Sequence, residues 1–237
     1  PLNILIDPGV TVTLQNLEIA NGYSDLTSFI TNEGDLTLNN CNIHDNATDS
    51  DGGGVANSSG TLNSSGTLLH YSGTLSIINT TIMHNRAGRS GGGVFTDDGN
   101  TTITQSRILD NTSLGSGGGV YSRLGSAVIN NSYIEDNIAG NGDGGGISVV
   151  NGLLFFSKST VDYNNAKTYG GGISAIGGES IIDSAIVQDN TAGNYGGGIS
   201  VIRDTENETT SLMTVFNTSV SNSSNLRYSI ASNHLQP

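Results

Sequence analysis

Acidic side chains recur one residue before a series of regularly spaced asparagines, and they are the residues of this sequence best suited to chemistry. The six positions hold Asp45, His84, Asp110, Asp136, Tyr163 and Asp189. In a stack of copies, Asp110 and Asp136 are neighbours about 5 Å apart. Two such carboxylates can act as an acid/base pair on a polysaccharide or bind calcium. The simpler interpretation is a solvated row of turn-favouring residues, so Asp110 and Asp136 are the catalytic candidates of an alternative, enzymatic function.

Other reactive residues near this column do not complete a catalytic set. Arg107 and Lys158 lie close to it in the sequence but in different registers. Asp97-Asp98 is typical of a turn. Cys41, the single cysteine, excludes an internal disulfide and falls in a column of small residues, so we expect it to be buried. The sequence lacks the nonapeptide of calcium-binding β-rolls, so no cofactor is predicted and calcium ranks last among the interpretations.

Asparagine-linked glycosylation is the second chemistry that the sequence can support. The Asn-x-Ser/Thr motif occurs at Asn46, Asn57, Asn63, Asn79, Asn100, Asn111, Asn130, Asn207, Asn217 and Asn222. Chance accounts for many of these motifs in a chain so rich in Asn, Ser and Thr. In a host that glycosylates asparagine, the motifs at turns would carry outward-projecting glycans, so all of them are glycosylation candidates.

A glycine triplet followed by Val or Ile is the most regular motif. It begins at Gly52, Gly91, Gly117, Gly144, Gly170 and Gly196, in steps of 39, 26, 27, 26 and 26 residues. A phosphate-binding loop requires a following Gly-Lys-Ser/Thr and a helix, and neither is predicted here. We therefore interpret the triplet as structural, because glycine leaves room in a tight cross-section and permits a turn with positive φ.

A fixed period of this size predicts a solenoid, and three apolar columns indicate how each coil is built. The anchors that end the rows are Gly22, Asn46, Asn85, Asn111, Asn137, Asn164, Asn190 and Ser223. Three residues before the first seven anchors lie Ile19, Ile43, Ile82, Ile108, Ile134, Val161 and Val187. Eight residues before them lie Leu14, Leu38, Ile77, Ile103, Ile129, Phe156 and Ile182. The third column follows the triplets and consists of Val55, Val94, Val120, Ile147, Ile173 and Ile199, with Phe29 in the second row. The columns predict three short parallel strands in each of about eight coils.

Two polar columns are predicted to form ladders along the solenoid axis. Five residues before the anchors lie Cys41, Thr80, Ser106, Ser132, Ser159 and Ala185, with Leu17 as the exception in the first row. One residue earlier lie Asn16, Asn40, Asn79, Gln105 and Asn131. Stacked hydroxyls and amides can hydrogen-bond to one another and to free backbone groups. We expect the anchor asparagines to do the same and to adopt the left-handed conformation of a tight corner.

Composition and charge exclude several classes of partner. The net charge is −13 over 237 residues, with only 8 Lys and Arg, which disfavours nucleic acid and anionic membranes. No apolar run is long enough to span a bilayer. Residues 2–6 lack the basic flank of a signal peptide. Because the chain opens on Pro1, we expect it to be processed or excised.

The repeats predict one domain over residues 1–237, with irregular first coils (1–35), regular repeats (36–200) and a degenerate last coil and tail (201–237). Excess residues at about 56–70 and 203–211 predict loops on one face. Such loops often bind ligands, although a plain surface loop is the simpler interpretation. Apolar strands at residues 2–6 and 212–216 have no capping helix, which predicts either a piece of a longer rod or head-to-tail stacking of subunits.

The Gly-Gly-Gly-Ile/Val motif, combined with Ile-x-x-Asn at this period over residues 36–199, resembles the repeats of polymorphic outer-membrane proteins. More broadly, the chain is similar to the right-handed parallel β-helix class that includes pectate lyases and autotransporter passengers. The resemblance implies an extracellular, cell-surface or secreted protein with an adhesin-like role.

The sequence therefore predicts an all-β, single-stranded, right-handed parallel β-helix. The function we expect is a non-enzymatic structural or adhesive module at the cell surface. Its partners are further copies of itself, stacked head to tail in a glycosylated surface fibre, or a host or surface ligand such as a carbohydrate. A polysaccharide lyase or glycoside hydrolase that uses the acidic column is the alternative.

Overall fold

Successive copies of the repeat stack in register, and the chain coils into an all-β parallel solenoid of about seven turns. The computed structural model describes residues 3–58, 73–204, 207 and 209–224. No helix occurs in those residues. The predicted all-β class and parallel β-helix are confirmed, whereas right-handed winding stays a prediction.

Four parallel sheets run along the solenoid, and each complete turn adds one strand to each sheet. Sheet A contains Ile4–Ile6, Ile30–Asn32, Val55–Ser58, Val94–Asp97, Val120–Arg123, Ile147–Val150, Ile173–Ile176 and Ile199–Ile202. Sheet B contains Thr11–Gln15, Asp35–Asn39, Thr74–Ile78, Asn100–Thr104, Ser126–Asn130, Leu153–Ser157, Gly178–Asp183 and Ser211–Phe216. Sheet C contains Glu18–Ala20, Asn42–His44, Thr81–Met83, Arg107–Leu109, Tyr133–Glu135, Thr160–Asp162, Ile186–Gln188 and Ser219–Ser221. Sheet D contains Tyr23–Ser24, Ala47–Thr48, Arg86–Ala87, Thr112–Ser113, Ile138–Ala139, Asn165–Ala166 and Thr191–Ala192.

Sheet D corrects the prediction of three strands per coil, because each complete turn has four. Within the described residues, sheets A, B and C have eight strands and sheet D has seven. The solenoid therefore has about seven complete turns and one incomplete turn, where the sequence predicts about eight coils. The strands of sheet D have two residues each. Their buried residues, such as Ala87, Ser113 and Ala139, are small. Two residues cannot show an alternating pattern, and small residues form no apolar column.

The three predicted apolar columns fill the interior of the solenoid. Strands pair residue by residue, so that Ile77 lies between Leu38 and Ile103 in sheet B. One assignment is wrong by a residue: Ile30, which pairs with Ile4, holds the inward position where the sequence predicts Phe29. That row lacks a glycine triplet, so its register has no marker in the sequence.

The glycines of each triplet have different structural roles. The first takes a positive φ, as at Gly117 with φ 65°. The second leaves no room for a side chain, since a Cβ on Gly118 would lie 2.5 Å from the Gly145 carbonyl oxygen and 2.5 Å from the backbone of Ile138. The third allows the interior asparagine to approach, with 3.0 Å between a Cβ on Gly119 and Asn137. The structural interpretation of the triplet is confirmed.

Two columns of left-handed residues turn the chain at the edges of sheet C. The corners between sheets B and C are Asn16, Asn40, Asn79, Gln105, Asn131, Lys158, Ser184 and Asn217. The corners between sheets C and D are Asn21, Asp45, His84, Asp110, Asp136, Tyr163, Asp189 and Asn222. The predicted acidic column is therefore a corner column. The sequence predicts positive φ at the anchor asparagines themselves. The structure instead has positive φ at the residue before each anchor, because the anchor side chains point into the interior.

Polar ladders run along the axis as predicted. In the hydroxyl column, Thr80 N–H donates to Ser106 Oγ at 3.1 Å, and Ser106 N–H donates to Ser132 Oγ at 3.2 Å. In the buried anchor column, Asn111 N–H donates to Asn137 Oδ1 at 3.0 Å. Both ladders satisfy backbone groups that a corner would otherwise leave without a partner.

The second predicted loop is pinned to the solenoid. Asp204 forms an antiparallel bridge with Thr209 and accepts a hydrogen bond from Asn151 Nδ2 at 2.5 Å. Most of the first loop lies outside the described residues, although Ala56 still belongs to sheet A. Within the described chain, no helix has both the length and the apolar character needed to cross a bilayer.

Candidate ligand-binding groove

The outer face of sheet C forms a shallow groove between the two corner columns. The groove spans four turns and has a volume of about 950 Å³. Its walls come from outward-facing side chains, because alternate residues of each three-residue strand point away from the core. One row consists of Arg107, Tyr133, Thr160 and Ile186, and the next row contains Glu135, Asp162 and Gln188. We refer to this surface as the sheet C groove.

Tyr133 lines the groove and projects into solvent, with 53% of its surface exposed. The guanidinium of Arg107 lies over its ring, with Cζ 6.0 Å from the ring centroid, and also approaches Glu135 Oε2 at 3.8 Å. Because Arg107 belongs to the preceding turn, the opposite face of the ring is directed toward Thr160. This cation–π contact orients the tyrosine and leaves one ring face free.

A gap follows Tyr133 along the groove. Thr160 is short, and the next wall is Ile186, which is 44% exposed. Beside the gap, Asp162 Oδ2 accepts a hydrogen bond from Gln188 Nε2 at 2.9 Å. Asp162 Oδ1 is buried and has no hydrogen-bond partner within the described chain. The gap therefore has apolar walls at its two ends and polar groups along one side.

The predicted catalytic candidates form the acidic rim of this groove and do not line it. Asp110 N–H donates to the Glu135 carbonyl oxygen at 3.1 Å, and Asp136 N–H donates to that of Asp162 at 3.2 Å. The structure thus places Asp110 and Asp136 at consecutive corners, as expected. Asp110 Oδ2 lies 3.6 Å from His84 Nε2. Burial raises the pKa of Asp136, and the nearby carboxylates of Asp110 and Asp162 raise it further.

The corner carboxylates are distributed along the axis, one from each turn. Over residues 3–58, 73–204, 207 and 209–224, no three His, Cys, Asp or Glu side chains converge in a way that could hold a metal ion. Asp97 ends the sheet A strand Val94–Asp97 and pairs through Oδ2 with Arg123 Nη2 at 2.6 Å. Only Asp98, with φ 55°, lies in the turn where the sequence predicts both aspartates. Cys41 is buried as expected.

The structure divides the glycosylation candidates into two groups. Asn46, Asn57 and Asn111 are at most 1% exposed, and their amides take part in buried ladders, so the folded chain has no room for a glycan there. Use of the other motifs stays a prediction. The remaining described motifs are exposed or half-buried, at Asn79, Asn100, Asn130, Asn207, Asn217 and Asn222. Asn63 lies outside the described residues.

Sequence reasoning missed Tyr133, Glu135, Thr160, Asp162, Ile186 and Gln188 as possible binding residues. Their only signal was position, since they occupy outward places in predicted strands next to the acidic column. The residue types in these places change from turn to turn, and a search for repeated columns passes over them.

Comparison with protein-family models, with curated proteins and with solved structures finds no match for this chain. Fold and surface together define it as a parallel β-solenoid with a lateral groove.

Proposed function

We propose that this chain is a non-enzymatic adhesive module of a cell surface and that the sheet C groove binds a carbohydrate. The observation that carries the proposal is the free ring face of Tyr133, held by Arg107 and bordered by Glu135, Asp162 and Gln188. An oriented aromatic ring beside hydrogen-bonding groups suits a saccharide, which has apolar ring faces and a polar edge. The resemblance of the repeats to those of polymorphic outer-membrane proteins supports the same function.

A panel of immobilised neutral, amino and acidic oligosaccharides tests this function. We expect at least one glycan to bind, and Tyr133→Ala to weaken that binding at least ten-fold. Tyr23→Ala is the matched control, because Tyr23 is similarly exposed at 51% but lies on sheet D, away from the groove. Absence of binding to every glycan, or equal losses for the two variants, contradicts the proposed function.

The location at the cell surface needs a separate test in the natural source. Antibodies raised against the folded chain should label intact, unpermeabilised cells, and external protease should remove the label. Labelling that appears only after permeabilisation contradicts a surface location.

Axial stacking of copies into a fibre is the second part of the proposed function. Inward-facing apolar side chains are only partly buried in the first and last described turns, as at Val12 and Leu14 in one and Met213 and Val220 in the other. Since all four sheets are parallel, a second copy displaced along the axis can continue the same strand pairing.

A polysaccharide-cleaving enzyme is the alternative, and the raised pKa of Asp136 favours it. Glycoside hydrolysis uses two neighbouring carboxyl groups, and the group with the raised pKa serves as the general acid. Release of reducing ends or unsaturated products from polysaccharides, abolished by Asp136→Asn, would establish it. Binding without turnover supports the adhesive module.

A further inference from the structure

Resting on the function proposed above, we infer that the gap between Tyr133 and Ile186 is a subsite for one saccharide ring, neutral or amino-bearing. We name it the Thr160 slot, because Thr160 forms its floor and Tyr133 and Ile186 form its walls. Glu135, Asp162 and Gln188 border it on the side of the acidic corners.

The spacing of the walls suits a single ring. Tyr133 pairs with Thr160 and Thr160 with Ile186, so the walls are two turns apart, or about 10 Å at about 4.8 Å per strand. A ring in contact with both walls needs about 7–8 Å, twice the carbon–carbon contact distance of about 3.5–4.0 Å. Two stacked rings need three contact distances, which together exceed the separation of about 10 Å between the walls. A single puckered ring therefore fills the slot between an aromatic and an aliphatic wall.

The polar groups of the slot select hydrogen-bond donors. The Thr160 hydroxyl lines the slot and can donate a hydrogen bond to a ligand or accept one from it. Carboxylate oxygens accept hydrogen bonds, so Glu135 and Asp162 favour hydroxyl or ammonium groups.

Charge disfavours acidic sugars on one side of the slot. Arg107 is the one cation among the lining residues, and it is already committed to Tyr133 and Glu135. The neighbouring corners add Asp110, Asp136 and Asp189, while the opposite corner column adds Lys158. The side of the slot that carries Glu135 and Asp162 is thus strongly acidic, and a uronic acid or sulfated sugar there would meet like charge.

Filling the slot tests the inference without removing either wall. Thr160→Phe places a large side chain on the floor, and we expect it to weaken binding of chitosan or cello-oligosaccharides at least ten-fold. Thr81→Phe is the matched control, because Thr81 occupies the same outward column two turns before Tyr133. Thermal unfolding of both variants shows whether each remains folded. Where Thr160→Phe fails to fold, the smaller Thr160→Val removes only the hydroxyl and is expected to weaken binding about three- to ten-fold.

Three oligosaccharide probes of equal length separate this inference from the proposed function. Neutral cello-oligosaccharide or cationic chitosan oligomers should bind at least ten-fold more tightly than oligogalacturonate. Equal affinities, tighter binding of oligogalacturonate, or full binding by folded Thr160→Phe would overturn the slot while leaving a carbohydrate-binding module in place. Absence of binding to every glycan would contradict the proposed function itself.

Discussion

Asn137 ties three turns together with one side chain. Its Oδ1 accepts hydrogen bonds from the backbone and side-chain amides of Asn111, at 3.0 and 3.1 Å. Its Nδ2 donates to Ile108 O at 2.9 Å in the preceding turn and to Asn164 Oδ1 at 3.0 Å in the following one. The side chain is fully buried, so these groups have no access to water as a substitute. The asparagine ladder is therefore a structural requirement of the turns that end at Asn46 to Asn190.

Removing one asparagine of the ladder should lower the stability of the fold. Asn137→Ala leaves buried donors and acceptors without partners, each of which costs about 1–3 kcal/mol. We expect the free energy of unfolding to fall by at least about 2 kcal/mol, measured by urea denaturation. Asn165→Ala is the control, because Asn165 is exposed in the next turn. Equal, small effects of the two substitutions would contradict the role of the ladder.

Burial also predicts which glycosylation motifs can be used. When the protein is secreted from a host that glycosylates asparagine, we expect no glycan at Asn46, Asn57 or Asn111 in the folded fraction, because their amides are enclosed. Exposed motifs such as Asn100 and Asn222 remain acceptors. Peptide mass spectrometry after enzymatic deglycosylation measures the occupancy of each motif. A stoichiometric glycan at Asn111 in folded protein is incompatible with the ladder.

His44 links the first two turns in a pH-dependent way. Its Nδ1 lies 2.7 Å from Asp45 Oδ2 and its Nε2 lies 2.9 Å from Glu18 Oε1. Hydrogen bonds to Asp45 and Glu18 raise the pKa of His44, and burial opposes them. A raised folded-state pKa means that the stabilisation is complete below the unfolded pKa of about 6.5 and is lost as pH rises through the folded value.

The consequence is a stability difference that depends on pH. We expect the wild type to exceed His44→Gln in unfolding free energy more at pH 6 than at pH 9, because the charged imidazolium strengthens both contacts. Parallel urea titrations at the two pH values measure the difference. An unchanged difference would mean that the charge of His44 contributes nothing to the link.

At the scale of elements, the glycine triplet before each regular sheet A strand sets the cross-section of the turn. Gly118→Ala would place a Cβ 2.5 Å from the Gly145 carbonyl oxygen, a distance that forces two turns apart. We expect a loss of several kcal/mol, about that of severe overpacking, measured by thermal or urea unfolding. In Gly140→Ala the nearest atom to the new Cβ is 3.2 Å away, so this control should be much milder. A similar loss in both variants would show that steric crowding at Gly118 is not the cause.

Periodicity explains how much of these elements the sequence could reveal. The columns that contain Ile82, Ile103 and Val120 hold an apolar residue in every regular turn, so the strands of sheets A, B and C were predictable. Sheet D was not, because its two-residue strands carry small inward residues such as Ala139. The sheet C groove was not predictable for the opposite reason. Arg107, Tyr133 and Thr160 share one column but differ in type, and a binding surface arises where a repeat changes.

At the scale of the whole molecule, the partial burial of apolar side chains in the first and last described turns predicts association. We expect sedimentation velocity to show larger species as concentration rises, because end-to-end contact buries Val12 and Leu14 against the last turn of another copy. Val12→Lys places a charge in that contact and should abolish the association. Thr13→Lys is the control, because Thr13 is exposed in the same strand and points outward. Association that survives Val12→Lys, or that is lost equally in Thr13→Lys, argues against axial stacking.

The direction of the backbone hydrogen bonds has a mechanical consequence. They join strands of successive turns, as from Gly118 N–H to Gly144 O at 3.2 Å, and so they lie along the solenoid axis. Under tension along that axis, we expect the hydrogen bonds of the terminal turn to break first and the following turns to open one at a time. Each regular turn of 26 residues then releases about 90 Å of chain at about 3.3–3.6 Å per residue. A solenoid built this way lengthens in steps under axial tension and dissipates work while the remaining turns keep their shape.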